Sequence, residues 1–133
     1  MNDKTIASLR RGMTDWQRRT IRHRLKLVRE LRYLVVERRK ELCDSIAKDV
    51  ERTAGEVTSN ELLPTAVALQ FLEKQAESIL QPRTARGTPG WLMGVQAKIV
   101  HHPLGVVGVL GTWNYPLFLN ACLLYTSPSP RDS

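Results

Sequence analysis

The chain has 133 residues, 42% of them hydrophobic and 25% charged, values that suit one folded domain and exclude wholesale disorder. Two cysteines, Cys43 and Cys122, exclude a disulfide framework, and no apolar run approaches the roughly 18 residues a membrane-spanning helix needs. The formal charge of +7 is localised: residues 1–52 hold 15 Lys/Arg against 8 Asp/Glu, while the remainder is neutral.

The opening Met-Asn-Asp-Lys-Thr is polar, unlike a secretory signal, and with so few cysteines the expected location is cytoplasmic. A first helix is predicted around Lys4–Gln17. From Thr20 to about Arg52, Ile21, Leu25, Val28, Leu31, Val35, Leu42, Ile46 and Val50 recur at helical spacing, with Arg and Glu on the other face. No Gly or Pro lies between Gly12 and Gly55, so one long amphipathic helix ending near Gly55 is expected. Glu37, Lys40, Glu41 and Asp44 read as exposed, and Cys43 as a small buried hydrophobe within that helix. The arginine-rich face reads as a solvated surface or subunit contact; the alternative is a basic helical module binding nucleic acid or acidic partners. No zinc-ligand spacing and no basic-aromatic interleaving favours that alternative.

The next helix runs from near Ser59 or Asn60 to about Leu80, with Leu62, Ala66, Leu69, Leu72, Ala76 and Ile79 on one face. Pro64 fits its first turn, where early N–H groups have no intrahelical partner; an earlier start predicts a kink there. Residues 81–95 carry two prolines and three glycines and read as a loop, with Trp91 and Leu92 as its anchors. Two extended segments follow, Gln96–His102 and Gly105–Leu110, separated by Pro103; the second is apolar on both faces, as in a strand buried on both sides. His101 and His102 point to opposite faces of their segment, which disfavours a shared metal, and no metal site is expected. Residues 122–133, CLLYTSPSPRDS, break the pattern and resemble the translation of a sequencing adapter, so they read as a non-native tail.

Gly105, Gly108 and Gly111 form a GxxGxxG spacing that differs from the dinucleotide fingerprint and by itself says only that something packs close to this backbone. The whole block PLGVVGVLGTWNYP, with the helices before it, resembles the aldehyde dehydrogenase superfamily over residues 5–121. The resemblance implies an α/β architecture. Residues 1–95 would be an N-terminal helical region and loop, and 96–121 the first strands of an incomplete dinucleotide-binding domain. It implies an oxidoreductase that converts a small-molecule aldehyde to a carboxylic acid with NAD or NADP through a cysteine thioester, the complete protein being a homo-oligomer. By the same resemblance Asn114 supplies the side-chain amide that binds the oxyanion, while Thr112 and Trp113 line the cofactor cleft. Without it, Asn114 and Thr112 read as turn residues and Trp113 as core. The family's nucleophilic cysteine and glutamate base lie beyond the matching stretch, so the chain as written is expected to be inactive.

Overall fold

The computed structural model describes residues 3–85, 91 and 95–126. These residues form a mostly helical assembly with a small two-stranded sheet. Helix α1 (Asp3–Arg18) is followed by α2 (Ile21–Glu37), whose N-cap Thr20 accepts a hydrogen bond from the His23 N–H at 3.3 Å.

The long helix expected from Thr20 to Arg52 is two helices. It breaks at Arg38, and α3 (Arg39–Val50) continues beyond. Neither Gly nor Pro causes the break. Helix α2 packs along α5, whereas α3 packs against α4 and the turn after it, and one straight rod cannot serve both sets of partners. Side chains stabilise the corner: Arg38 makes a bidentate pair with Glu41 at 2.9 and 2.7 Å. Gly55 is not the stop. Helix α3 ends at Glu51, in the left-handed region with φ 52°, and Gly55 lies inside the next helix, α4 (Ala54–Val57). Thr53 starts α4 with a complete capping box: its hydroxyl accepts from Glu56 N–H, and the Glu56 carboxylate accepts from Thr53 N–H.

Helix α4 passes through a π-helical turn, Thr58–Leu62, into α5 (Leu63–Leu80). The helical stretch thus begins before Ser59, and the irregularity forecast for that case sits one turn ahead of Pro64. A proline ring clashes with the carbonyl four residues back. Widening the preceding turn, with Leu63 N–H donating to Thr58 O, moves that carbonyl aside.

The core gathers Val35, Cys43, Ile46, Val57 and Leu62, with Leu42, Ala47, Val50 and Leu117 packed against it. Cys43 is buried, as expected. Two stripe residues depart from the pattern: Leu31 and Ile79 are exposed. Helices α2 and α5 run antiparallel, tied by Arg22–Glu77 at 3.9 Å and by Glu73, which receives both Arg29 at 3.1 Å and Arg32. These partners account for much of the basic face: Arg22, Arg29, Arg32, Arg38 and Arg52 all have glutamates beside them.

The sheet departs from expectation. Strand β1 (Arg83–Thr84) lies inside the predicted loop and pairs antiparallel with β2 (Lys98–Ile99), extended by Ala85 N–H donating to Ala97 O at 2.8 Å. Trp91 is 80% exposed, so among the described residues it is not seated as an anchor; Leu92 lies outside the described residues. Residues 105–110 form no strand, and Val106, Val107, Val109 and Leu110 are exposed. A strand buried on both faces requires neighbours on both edges, and the described residues supply none. Gly105 has φ +98°, a conformation that side chains resist. Helix α6 (Phe118–Thr126) closes the described chain and crosses the expected boundary at residue 122.

Candidate functional site

The segment from Gly111 to α6 is extended backbone followed by a tight turn at Pro116–Leu117 and then the helix. Residues 110–114 continue the extended segment 105–110, which pairs with no strand among the described residues.

Two side chains from different elements hold this segment. Asn120, the third residue of α6, accepts from Thr112 N–H at 3.2 Å and donates through Nδ2 to Pro116 O at 2.7 Å. Its side chain lies against Gly111, so closely that a Cβ there would come within 2.6 Å of its Cγ. Glu61, in the π-helical turn, accepts from Leu117 N–H at 3.1 Å and from Phe118 N–H at 2.7 Å through one carboxylate oxygen, Oε2. Those amides stand at the start of α6, Leu117 just before it and Phe118 its first residue, where N–H groups have no intrahelical acceptors, and a carboxylate at that end suits the helix dipole.

Glu61 is fully buried. Its second oxygen faces Arg52 Nη1 at 3.7 Å, beyond hydrogen-bonding distance, and neither atom has a hydrogen-bond partner among the described residues. The Arg52 guanidinium lies over the Tyr115 ring, 4.2 Å from its centroid. In the chain, Tyr115 lies between Thr112, held by Asn120, and Leu117, held by Glu61.

The three residues singled out by sequence sit on this turn, Thr112 at its held end and Trp113 and Asn114 next to it. Trp113 is 82% exposed, so it is not a core residue; Thr112 and Asn114 are exposed too. The Asn114 side-chain amide makes no hydrogen bond among the described residues, and the Thr112 and Trp113 carbonyl oxygens accept none. An unpaired amide can donate to an anion brought against it, and unpaired carbonyls can accept from hydroxyl groups. Behind the turn lies an apolar cavity of about 470 Å³, bordered by Val35, Leu69, Val109, Gly111 and Pro116. Among the described residues no group of His, Cys, Asp and Glu could hold a metal ion, and no helix is long and apolar enough to cross a membrane.

Sequence reasoning passed over Glu61, Arg52 and Asn120. For Glu61 a signal existed. It lies four residues after Val57 and four before Thr65, on the buried stripe, where an acidic residue must find donors. Asn120 and Arg52 carried no such mark.

Comparison with known proteins agrees with the resemblance drawn from the Trp-Asn-Tyr-Pro block. The model of the aldehyde dehydrogenase family matches residues 2–125. The chain is 28% identical over 122 residues to 4,4'-diapolycopene aldehyde oxidase of Methylomonas sp, covering 92% of this chain and 23% of that protein. It is 29% identical over 117 residues to mouse (Mus musculus) aldehyde dehydrogenase family 3 member A2, covering 88% of this chain and 24% of the relative. With a probable coniferyl aldehyde dehydrogenase of Pseudomonas aeruginosa it shares 33% identity over 99 residues, 73% of this chain and 20% of the relative. The chain thus spans less than a quarter of the length of these relatives. No solved structure matches it significantly. The chain belongs to the aldehyde dehydrogenase family.

Proposed function

We propose that this chain is the N-terminal part of an NAD(P)-dependent enzyme that oxidises a small-molecule aldehyde to its carboxylic acid through a cysteine thioester. Asn114 is the residue it contributes to the chemistry. When a thiolate adds to an aldehyde, the carbonyl oxygen becomes an oxyanion, and a neutral donor already in place lowers the barrier. The observation that carries this reading is the Asn114 amide, exposed and unpaired on a turn held by Glu61 and Asn120. A free amide on a loose loop would lose much of the benefit, because its orientation would have to be paid for at each turnover.

Thr112 and Trp113 border the cofactor in this reading. Their exposed backbone carbonyls and the broad Trp113 face suit the hydroxyl groups and flat ring of a nicotinamide nucleotide. Bound there, NAD(P)+ would supply the hydride acceptor; this chain's own residues border it and leave the Asn114 amide free to donate to the substrate oxygen that becomes the oxyanion. Residues 1–95 form the helical support, 96–121 begin the dinucleotide-binding domain, and 122–133 are non-native. The complete enzyme is a cytoplasmic homo-oligomer.

The test is to follow the reading frame beyond codon 121 in the source nucleic acid and assay the longer product for NAD(P)-dependent aldehyde oxidation. Asn114→Ala is expected to lower kcat by roughly 100- to 1,000-fold, the effect of removing one oxyanion donor. Retention of kcat within about threefold of the parent, equivalent to about 0.65 kcal/mol, removes Asn114 from the mechanism.

A further inference from the structure

Glu61 is a fully buried carboxylate in a helical turn, far in sequence from the residues it binds. Its Oε2 takes the Leu117 and Phe118 amides at 3.1 and 2.7 Å, immediately after the turn that carries Asn114 and Tyr115. Arg52, beside Glu61 Oε1 at 3.7 Å, covers the Tyr115 ring. A helix could be capped more cheaply by a local Ser or Thr at its own N-terminus. Capping from another element instead ties the start of α6 to the α4–α5 stretch, and so fixes the turn relative to the helical support.

We propose that Glu61, with Arg52 stacked on Tyr115, is the positioning residue for the Asn114 turn. It touches neither substrate nor cofactor and acts through the Leu117 and Phe118 amides. The proposal rests on the reading of Asn114 as oxyanion donor, but its test does not.

The experiment uses the full 133-residue chain, labelled with nitrogen-15, and follows amide hydrogen exchange at Leu117 and Phe118. A second readout is Trp113 fluorescence anisotropy in a Trp16→Phe, Trp91→Phe background. Glu61→Leu is expected to speed exchange at both amides by about 10- to 100-fold, the range for hydrogen bonds to a charged acceptor, and to lower the anisotropy. Glu61→Gln, which keeps an acceptor oxygen of the same reach, restores both. Arg52→Met lowers the anisotropy while leaving the two amides protected, because it frees Tyr115 and not the cap.

A folded Glu61→Leu chain with unchanged exchange and anisotropy overturns the proposal. If that variant fails to fold, Arg52→Met decides, and unchanged Trp113 anisotropy in it is equally fatal. Asn114→Ala leaves the Leu117 and Phe118 exchange untouched, so loss of the oxyanion role and loss of the positioning role are separately visible.

Discussion

Replacing Gly111 with Ala tests how the turn is held. Gly111 has no positive φ, so the backbone itself accepts a side chain. The obstacle is Asn120: a Cβ at 111 would lie 2.6 Å from its Cγ and 2.7 Å from its Nδ2. Atoms this near the root of a short side chain cannot swing clear without giving up the bonds to Thr112 N–H and Pro116 O. Two hydrogen bonds of about 1 kcal/mol each amount to a loss of about 2 kcal/mol. Against it stands a gain of about 0.4–1 kcal/mol, because alanine restricts the unfolded chain more than glycine does. The net expectation is destabilisation by about 1–1.5 kcal/mol. With Asn120→Ala already in place the clash and the bonds are both gone, and Gly111→Ala should stabilise by about 0.4–1 kcal/mol. The sign therefore reverses with the background, a coupling of about 2 kcal/mol. Urea unfolding followed by circular dichroism on the four chains of the cycle, with unchanged m-values, measures it. Equal destabilisation in both backgrounds refutes the reasoning.

Two further predictions concern the helical support. The Arg32 hydrogen bond, helped by Arg29, holds the Glu73 carboxyl below the ordinary carboxylate range against the opposing effect of burial. Its contribution to stability is therefore fully present above the unfolded-state value, near 4.5, and fades as the pH falls through the lower folded value. Glu73→Gln should flatten the acid limb of a stability–pH profile below about pH 4.5; an unchanged acid limb contradicts the pairing. Thr53→Ala removes the hydroxyl of the capping box and should cost about 1 kcal/mol, and Glu56, whose pKa is lowered chiefly by the Thr53 N–H and then by its hydroxyl, should lose part of that lowering. Urea titration reads the first effect and carbon-detected NMR of the Glu56 carboxyl the second; a loss of stability without any change at Glu56 would show that the box does not act as a unit.

The sequence by itself determined the helices and the family. Apolar residues at helical spacing place Val35, Ile46, Leu62 and Leu69 inward wherever a helix meets a partner, because burial of an amphipathic stripe is the main driving force. The Gly-Thr-Trp-Asn-Tyr-Pro block is specific enough to name the family without any structure, since that order of residue types follows from no general rule of helix or strand. Tertiary structure alone decided the rest. The break at Arg38 comes from two packing partners in different directions, and no residue there announces it. The strand pattern of residues 105–110 states a preference that can be realised only with neighbouring strands, and among the described residues those are absent, so Leu110 stands exposed. The clamp on the turn was also beyond local reading. Glu61 and Phe118 are 57 positions apart, and only the folding of α5 against α2 and α6 brings that carboxylate to the amides it caps. Periodicity records which face of an element is buried; which distant donor a buried acceptor meets depends on how the elements pack.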